Sequence, residues 1–203
     1  MKAFYAMKNS NINSINDLSG KRISVGTAGG AIDAFVRTLF NDLEIKAEIV
    51  NLTTTDGRNA LENGMIDAIC IGHPAPAMQE LAITKDIKLI GISGKEIEVY
   101  REKHPENTYD MVIPSGYYNK VDEDVLTVGC YNLTMAREDL PEDCVYTVTK
   151  ALYENIDLVQ ATYPDFAIQL KQPDIEGINT PLHNGAIRYY KEVGLTIPKE
   201  LIF

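Results

Sequence analysis

Short apolar runs alternate with amphipathic segments over the first two thirds of the chain. The runs that predict strands are 1–8, 23–25, 47–52, 66–71, 87–92 and 109–113. Between them, amphipathic segments predict helices that begin near residues 31, 53, 75 and 94. Thr53 to Thr55 and Asp56 are the expected caps of the second helix. The run at 66–71 is nearly continuous, as expected of a central strand covered on both faces. Strands that alternate with helices are typical of a parallel, doubly wound α/β sheet, so we expect that architecture here.

The stretch Lys21–Leu43 has the pattern of a strand, a glycine turn and a helix, with glycines at 26, 29 and 30. The first amides of a helix have no partner inside it and carry the positive end of its dipole. Glycine at that point lets a small anion approach the backbone. A plain β–α turn that uses glycine for its tight geometry explains the pattern equally well. Asp33, in the first helical turn, could repel an anion or attract a ligand ammonium.

The pattern changes after the extended stretch Leu126–Met135, because no later segment has the pattern of a strand. An apolar stripe predicts a helix of about five turns, and it consists of Val145, Val148, Leu152, Ile156 and Val159. Shorter helices are predicted over 164–170 and 184–193. No strand is predicted after Met135, so these apolar stripes have no sheet to pack against in that part of the chain. We therefore expect an incomplete lobe and possible self-association of the chain.

The composition excludes several classes of partner. A net charge of -10 at pH 7 disfavours sequence-independent binding to nucleic acid or to an anionic membrane, since both need basic patches. No apolar run approaches the ~18 residues of a membrane-spanning helix. The first residues lack the length and cleavage site of a signal peptide. Small molecules or proteins are the expected partners.

Catalytic and metal-binding patterns are sparse, and we predict no catalytic residue, no metal site and no cofactor. The three cysteines, Cys70, Cys130 and Cys144, form no metal-type pair. Cys70 and Cys130 lie in apolar runs, where buried free thiols are the favoured interpretation. Cys70 is close to His73, and a thiol nucleophile there is the minor alternative. The loop after the strand at 109–113 carries two tyrosines, Tyr117 and Tyr118, which we expect to be exposed.

Five segments carry a resemblance that extends over essentially the whole chain. They read DLSGKRISVGTAGGA, LENGMIDAICIGHPAPAMQELA, KLIGIS, VGCYNLTMAREDLPEDCVYTVTKALYEN and PLHNGAIRYYKEVG. In this order they resemble the TAXI family of TRAP-transporter solute-binding proteins. The resemblance implies an α/β, periplasmic-binding-protein-like type II fold of two lobes. It also implies a small carboxylate ligand, such as glutamate or a dicarboxylate.

The resemblance divides the chain into four parts. These are an outgoing crossing strand and loop at 1–13, a doubly wound lobe two at 14–127, a return crossing strand at 128–136, and helices of lobe one at 137–203. The matching ligand-binding residues are Thr27, Ala28, Gly29, Gly30 and Ala31, then His73, Pro74, Ala75 and Pro76, and Tyr131. Where the family commonly has Gly-Ser-Gly-Thr, this chain has Gly29, Gly30, Ala31 and Ile32, so only backbone amides serve as donors there.

The resemblance implies a receptor without enzymatic activity, located outside the cytoplasm in the periplasm or as a cell-surface lipoprotein. It would capture a small organic anion or acidic amino acid and deliver it to the membrane subunits of a TRAP permease. Family members begin with a signal sequence and most of lobe one, so we expect upstream codons to encode both. The alternatives are a cytoplasmic small-molecule-sensing domain of the same fold, or a truncated fragment that binds no ligand.

Overall fold

The protein consists of two compact units, residues 1–130 and 131–203. The structure is a computed structural model that describes residues 1–105, 109–129, 133–162, 175, 178 and 180–202. Unit one contains strands and helices, whereas the described part of unit two contains helices without strands. The sequence analysis assigned residues 1–13, 14–127, 128–136 and 137–203 to crossing strands and lobes. That assignment stays a prediction.

The elements of unit one lie in the segments that the apolar pattern predicted. The strands are β1 (Lys2–Met7), β2 (Arg22–Ser24), β3 (Glu48–Val50), β4 (Ala68–Gly72), β5 (Ile87–Ile90), β6 (Tyr109–Ile113) and β7 (Val125–Gly129). The helices are α1 (Ala31–Asp42), α2 (Thr54–Glu62), α3 (Pro76–Thr84) and α4 (Gly94–Lys103). Local periodicity was therefore sufficient to find each of these strands and α-helices.

The sheet is mixed, so the prediction of a parallel sheet is wrong. Its order is β3-β2-β4-β1-β7-β6, and β5 also pairs with β1. β2 is parallel to β3 and β4, whereas β1 is antiparallel to both β4 and β5. Strands β2 to β5 therefore share one direction, and β1 runs against them. β6 and β7 form a further antiparallel pair.

β1 is buried on both faces of the sheet, which explains its continuous apolar sequence. Phe4 and Ala6 belong to the core on one face, together with Phe35 and Leu39 of α1. Tyr5 belongs to the core on the other face, together with side chains of α2 and α3. The alternation follows from the two-residue period of a strand.

Helix α2 begins where its caps were predicted. The Thr53 hydroxyl oxygen accepts a hydrogen bond from the Asp56 amide at 3.1 Å, which satisfies one of the free donors of the first turn. Gly57 lets this helix approach β2 and β4, because a Cβ there would lie 2.7 Å from Ile69 Cδ1 and 2.8 Å from Ser24 Oγ. The glycine thus permits the short distance between the helix and the sheet.

Unit two contains α5 (Glu142–Glu154), α6 (Ile156–Thr162) and α7 (Asn184–Glu192). The single long helix that was predicted is thus divided after Glu154. Gly185 lets α7 approach the backbone of α5, since a Cβ there would overlap the Glu142 carbonyl oxygen. No side chain of α5 is buried, and Val148 of the predicted stripe is 60% exposed. The predicted helix at 164–170 lies outside the described residues.

Candidate functional site

The carboxyl ends of β2, β3, β4 and β5 lie at one edge of the sheet, because these strands share a direction. Loops at this edge form the binding sites of open α/β sheets. Adjacent strands β2 and β4 bring two of the predicted groups to this edge, namely Thr27 to Ala31 and His73 to Pro76. The third predicted position, Tyr131, lies outside the described residues.

The loop between β2 and α1 is a tight glycine turn. Gly26 and Gly29 have φ values of 77° and 72°, in the left-handed region that favours glycine. The Gly30 amide donates to the Thr27 carbonyl oxygen at 3.0 Å. Thr27 and Ala31 are exposed, as are the two residues that follow Thr27. The loop therefore offers its outer surface to solvent.

Asp33 connects this loop to α1 and to the end of β3. Its carboxylate accepts hydrogen bonds from the Gly29 amide at 2.9 Å, from Arg37 Nε at 2.8 Å and from Asn51 Nδ2 at 3.1 Å. Asn51 Nδ2 also donates to the Gly26 carbonyl oxygen at 3.1 Å. The Gly29 amide foremost, and then Asn51, hold the pKa of Asp33 below its usual value. Asp33 is therefore ionised at neutral pH.

These bonds change which amides of the turn a ligand could reach. Two of the predicted donors, the amides of Gly29 and Gly30, are engaged by Asp33 and Thr27. The amides of residues 31 to 33, in the first turn of α1, make no hydrogen bond to any described residue. An anion at this helix would therefore meet the amides from Ala31 onward.

Lys2 contributes a cation at the same edge, which the sequence analysis missed. Because β1 is antiparallel to β4, Lys2 lies opposite Gly72 at the carboxyl end of β4. Its Nζ is 4.7 Å from the centroid of the Phe35 ring on α1. The two-residue period of β1 could have indicated the position of Lys2, since Lys2 lies on the same face of the strand as Phe4.

Among the described residues, two hydrogen bonds hold His73 at the end of β4. Its amide donates to the Met1 carbonyl oxygen at 3.0 Å, and Nδ1 is 2.9 Å from Tyr118 Oη. Tyr118 Oη is in turn 2.7 Å from Tyr5 Oη. Tyr118 is only 1% exposed, so the prediction that it lies at the surface is wrong. The Tyr117 ring packs against His73, with 4.5 Å between the ring centroids.

Cys70 and His73 do not form a catalytic pair. Cys70 is buried in the core on the α1 face of the sheet, whereas the partner of His73, Tyr118, lies in the core of the opposite face. Burial raises the pKa of the Cys70 thiol well above its usual value. A thiolate nucleophile is therefore disfavoured. The prediction of a buried free thiol is confirmed for Cys70, while Cys130 lies outside the described residues.

The described residues were also searched for metal-binding groups and for membrane-spanning helices. Within them, no group of three or more histidine, cysteine, aspartate or glutamate side chains could hold a metal ion. None of their helices is both long and apolar enough to cross a bilayer.

The chain belongs to the NMT1-like family, whose model matches residues 1–194. It is similar in structure to the periplasmic aliphatic sulphonate binding protein SsuA from Escherichia coli, at 15% identity and a TM-score of 0.46, over 83% of this chain and 48% of that one. It is also similar to substrate binding domain 2 of GlnP from Lactococcus lactis, at 19% identity and a TM-score of 0.37, over 50% and 49% of the two chains. An ancestral arginine-binding protein bound to arginine matches at 21% identity and a TM-score of 0.37, over 51% and 54%. The chain therefore spans about half the length of each of these proteins.

Proposed function

We propose that this member of the NMT1-like family is a solute-binding receptor that acts outside the cytoplasm. It would capture a small carboxylate, such as glutamate or a dicarboxylate, and deliver it to the membrane subunits of a TRAP-type permease. The observation that carries the proposal is the edge of the sheet where α1 begins and where Lys2 Nζ lies 4.7 Å from the centroid of the Phe35 ring of that helix. Further support comes from the resemblance to the TAXI family across the whole chain.

The ligand carboxylate would bind at the first turn of α1. The amides from Ala31 to Asp33 and the positive end of the helix dipole favour an anion there. The Lys2 ammonium, above the Phe35 ring, adds a positive charge on the same side of the sheet. The negative charge of Asp33 opposes the binding of an anion only weakly, because Arg37 and Asn51 already bind its carboxylate.

The overall negative charge of the protein does not prevent such binding. Charges at the surface are largely screened beyond a Debye length of about 8 Å at physiological ionic strength. The local groups at the edge of the sheet therefore dominate the field that a small ligand meets. His73 to Pro76 would form a second wall of the site. The resemblance to the TAXI family also assigns Tyr131 to ligand binding.

Thermal denaturation and calorimetric titration with succinate, glutamate and 2-oxoglutarate test this proposal. A ligand at about 100 times its dissociation constant stabilises the protein by roughly 2.7 kcal/mol, enough for a clear rise in Tm. Ala31→Asp should abolish the rise, because its carboxylate occupies the position of the anion. The same variant should fold well, since Ala31 is exposed and aspartate is favourable in a first helical turn.

Ala31→Asn is the matched control, because it has nearly the same size without the charge. It should retain most of the ligand affinity. If no carboxylate raises Tm while a neutral or cationic compound does, the proposal of an anion site is wrong. Equal binding by Ala31→Asp and the unmodified protein would place the ligand elsewhere.

A further inference from the structure

One amide side chain, that of Asn51, connects three segments at the carboxyl edge of the sheet. β3 pairs with β2 up to Val50, whose carbonyl oxygen accepts a hydrogen bond from the Val25 amide at 3.2 Å. Asn51 is the next residue, so it lies beside the turn that begins at Gly26. Its Nδ2 atom is 3.1 Å from the Gly26 carbonyl oxygen and 3.1 Å from Asp33 Oδ1 on α1. A single side chain thus joins the end of β3 to the glycine turn and to the start of the helix.

The partners of Asn51 determine how its amide is oriented. A carbonyl oxygen and an ionised carboxylate oxygen can only accept hydrogen bonds, so the atom that faces both has to be the donor, Nδ2. With the amide reversed, its oxygen would face two other oxygens at 3.1 Å. The Asn51 oxygen lies instead 3.4 Å from Arg37 Nη2, which can only donate. This orientation holds whatever further contacts these residues make.

Asn51 is also one of three donors around the carboxylate of Asp33. The Gly29 amide binds Oδ2 at 2.9 Å, while Arg37 Nε and Asn51 Nδ2 bind Oδ1 at 2.8 Å and 3.1 Å. Asp33 is only 5% exposed, so water is a poor substitute for these donors. A buried carboxylate that lost one of them would be harder to keep ionised.

We infer that Asn51 is a positioning residue, which locks the turn between β2 and α1 to the helix and holds Asp33 as the charged partner of that turn. It holds one end of the turn directly, through the Gly26 carbonyl oxygen, and the other end through Asp33 and the Gly29 amide. The consequence for the candidate site rests on the proposed function. A locked turn keeps the amides from Ala31 onward in place for an anion, and Asn51 adds no negative charge beside them. Asn51 would then act on binding without touching the ligand.

¹³C NMR spectra of the carboxyl groups, recorded as a function of pH, test the inference without a ligand. Asn51→Ala removes both hydrogen bonds, so the pKa of Asp33 should rise and the Gly29 amide should exchange its hydrogen faster. Asn51→Asp keeps the size of the side chain and adds a like charge, so it should raise the pKa of Asp33 further. Asn41→Asp is the matched control, because Asn41 is exposed and lies near the other end of α1, about 15 Å from Ala31. It should leave the titration of Asp33 unchanged.

A titration of Asp33 that stays the same in a folded Asn51→Ala variant would overturn the inference. Calorimetric titration with succinate then tests the consequence for binding. Asn51→Asp should bind succinate at least about tenfold more weakly than the unmodified protein, whereas Asn41→Asp should bind it equally well. Equal binding by Asn51→Asp would overturn the role of Asn51 at the anion site. An unmodified protein that does not bind succinate contradicts the proposed function for this ligand, and the titration of Asp33 still decides the role of Asn51.

Discussion

The carboxylate of Asp33 accepts a hydrogen bond from the amide of Gly29, with 2.9 Å between Oδ2 and the amide nitrogen. This bond closes the glycine turn over the start of α1. The protein thus supplies its own anion to one of the amides that the sequence analysis assigned to a ligand. A ligand at this helix has to use the following amides, which shifts the expected contact toward Ala31.

The first prediction concerns the pH dependence of stability. The folded protein holds the pKa of Asp33 below its usual value, mainly through the Gly29 amide. This stabilisation is fully present above the unfolded pKa of about 3.9, and it is lost as the pH falls toward the lower, folded pKa. Asp33→Asn should therefore be less stable at pH 7 and lose less of its stability below pH ~4.

Urea denaturation at several pH values measures this effect. Asp122→Asn is the control, because Asp122 is exposed. The control should have the pH profile of the unmodified protein. Identical pH profiles for Asp33→Asn and the unmodified protein would show that the Asp33 carboxylate does not stabilise the turn.

The second prediction concerns the contact between α2 and the sheet. Gly57→Ala should destabilise the protein by about 1–3 kcal/mol, because its methyl group would collide with Ile69 and Ser24. Gly94→Ala is the control, since a Cβ at this helix start meets no atom within 4 Å. Urea denaturation of both variants measures the difference. If Gly57→Ala were as stable as Gly94→Ala, helix α2 would be able to move away from the sheet without loss of stability, and the prediction would be wrong.

The third prediction concerns the cysteines. Cys70 is buried, whereas Cys144 is exposed. Iodoacetamide should therefore modify Cys70 at least about tenfold more slowly than Cys144 in the native protein, since the thiolate is the reactive form. Mass spectrometry of the two peptides, with and without urea, measures the rates. Equal rates in the absence of urea would contradict the burial of Cys70.

The fourth prediction concerns the apolar side chains of unit two. Val148 and Leu158 are 60% and 69% exposed, and each would gain roughly 1.5–3 kcal/mol if it were fully buried. We expect the 203-residue chain to self-associate through these side chains. Val148→Lys and Leu158→Lys should weaken association and change the free energy of unfolding by less than about 0.5 kcal/mol.

Size-exclusion chromatography with light scattering measures the association. Thr147→Lys is the control, because Thr147 is an exposed residue of α5 that lies outside the stripe. It should leave the association unchanged. A chain that stays monomeric at high concentration would contradict the prediction.

The sequence by itself determined the elements of the fold. Gly26 and Gly29 predicted the turn before α1, and Thr53 predicted the start of α2, since these signals act over a few residues. The apolar run at 66–71 predicted a strand that is covered on both faces. The free, buried state of Cys70 followed from the same run.

Only the tertiary structure decided which distant residues meet. The antiparallel position of β1 depends on pairs such as Phe4 with Cys70 and with Ile90, which no local pattern encodes. The burial of Tyr118 depends on Tyr5, which lies 113 positions away. Lys2 lies at the carboxyl end of β4 because β1 is antiparallel to that strand. Periodicity reports the face on which a side chain lies, but pairing and direction arise from the packing of the whole sheet.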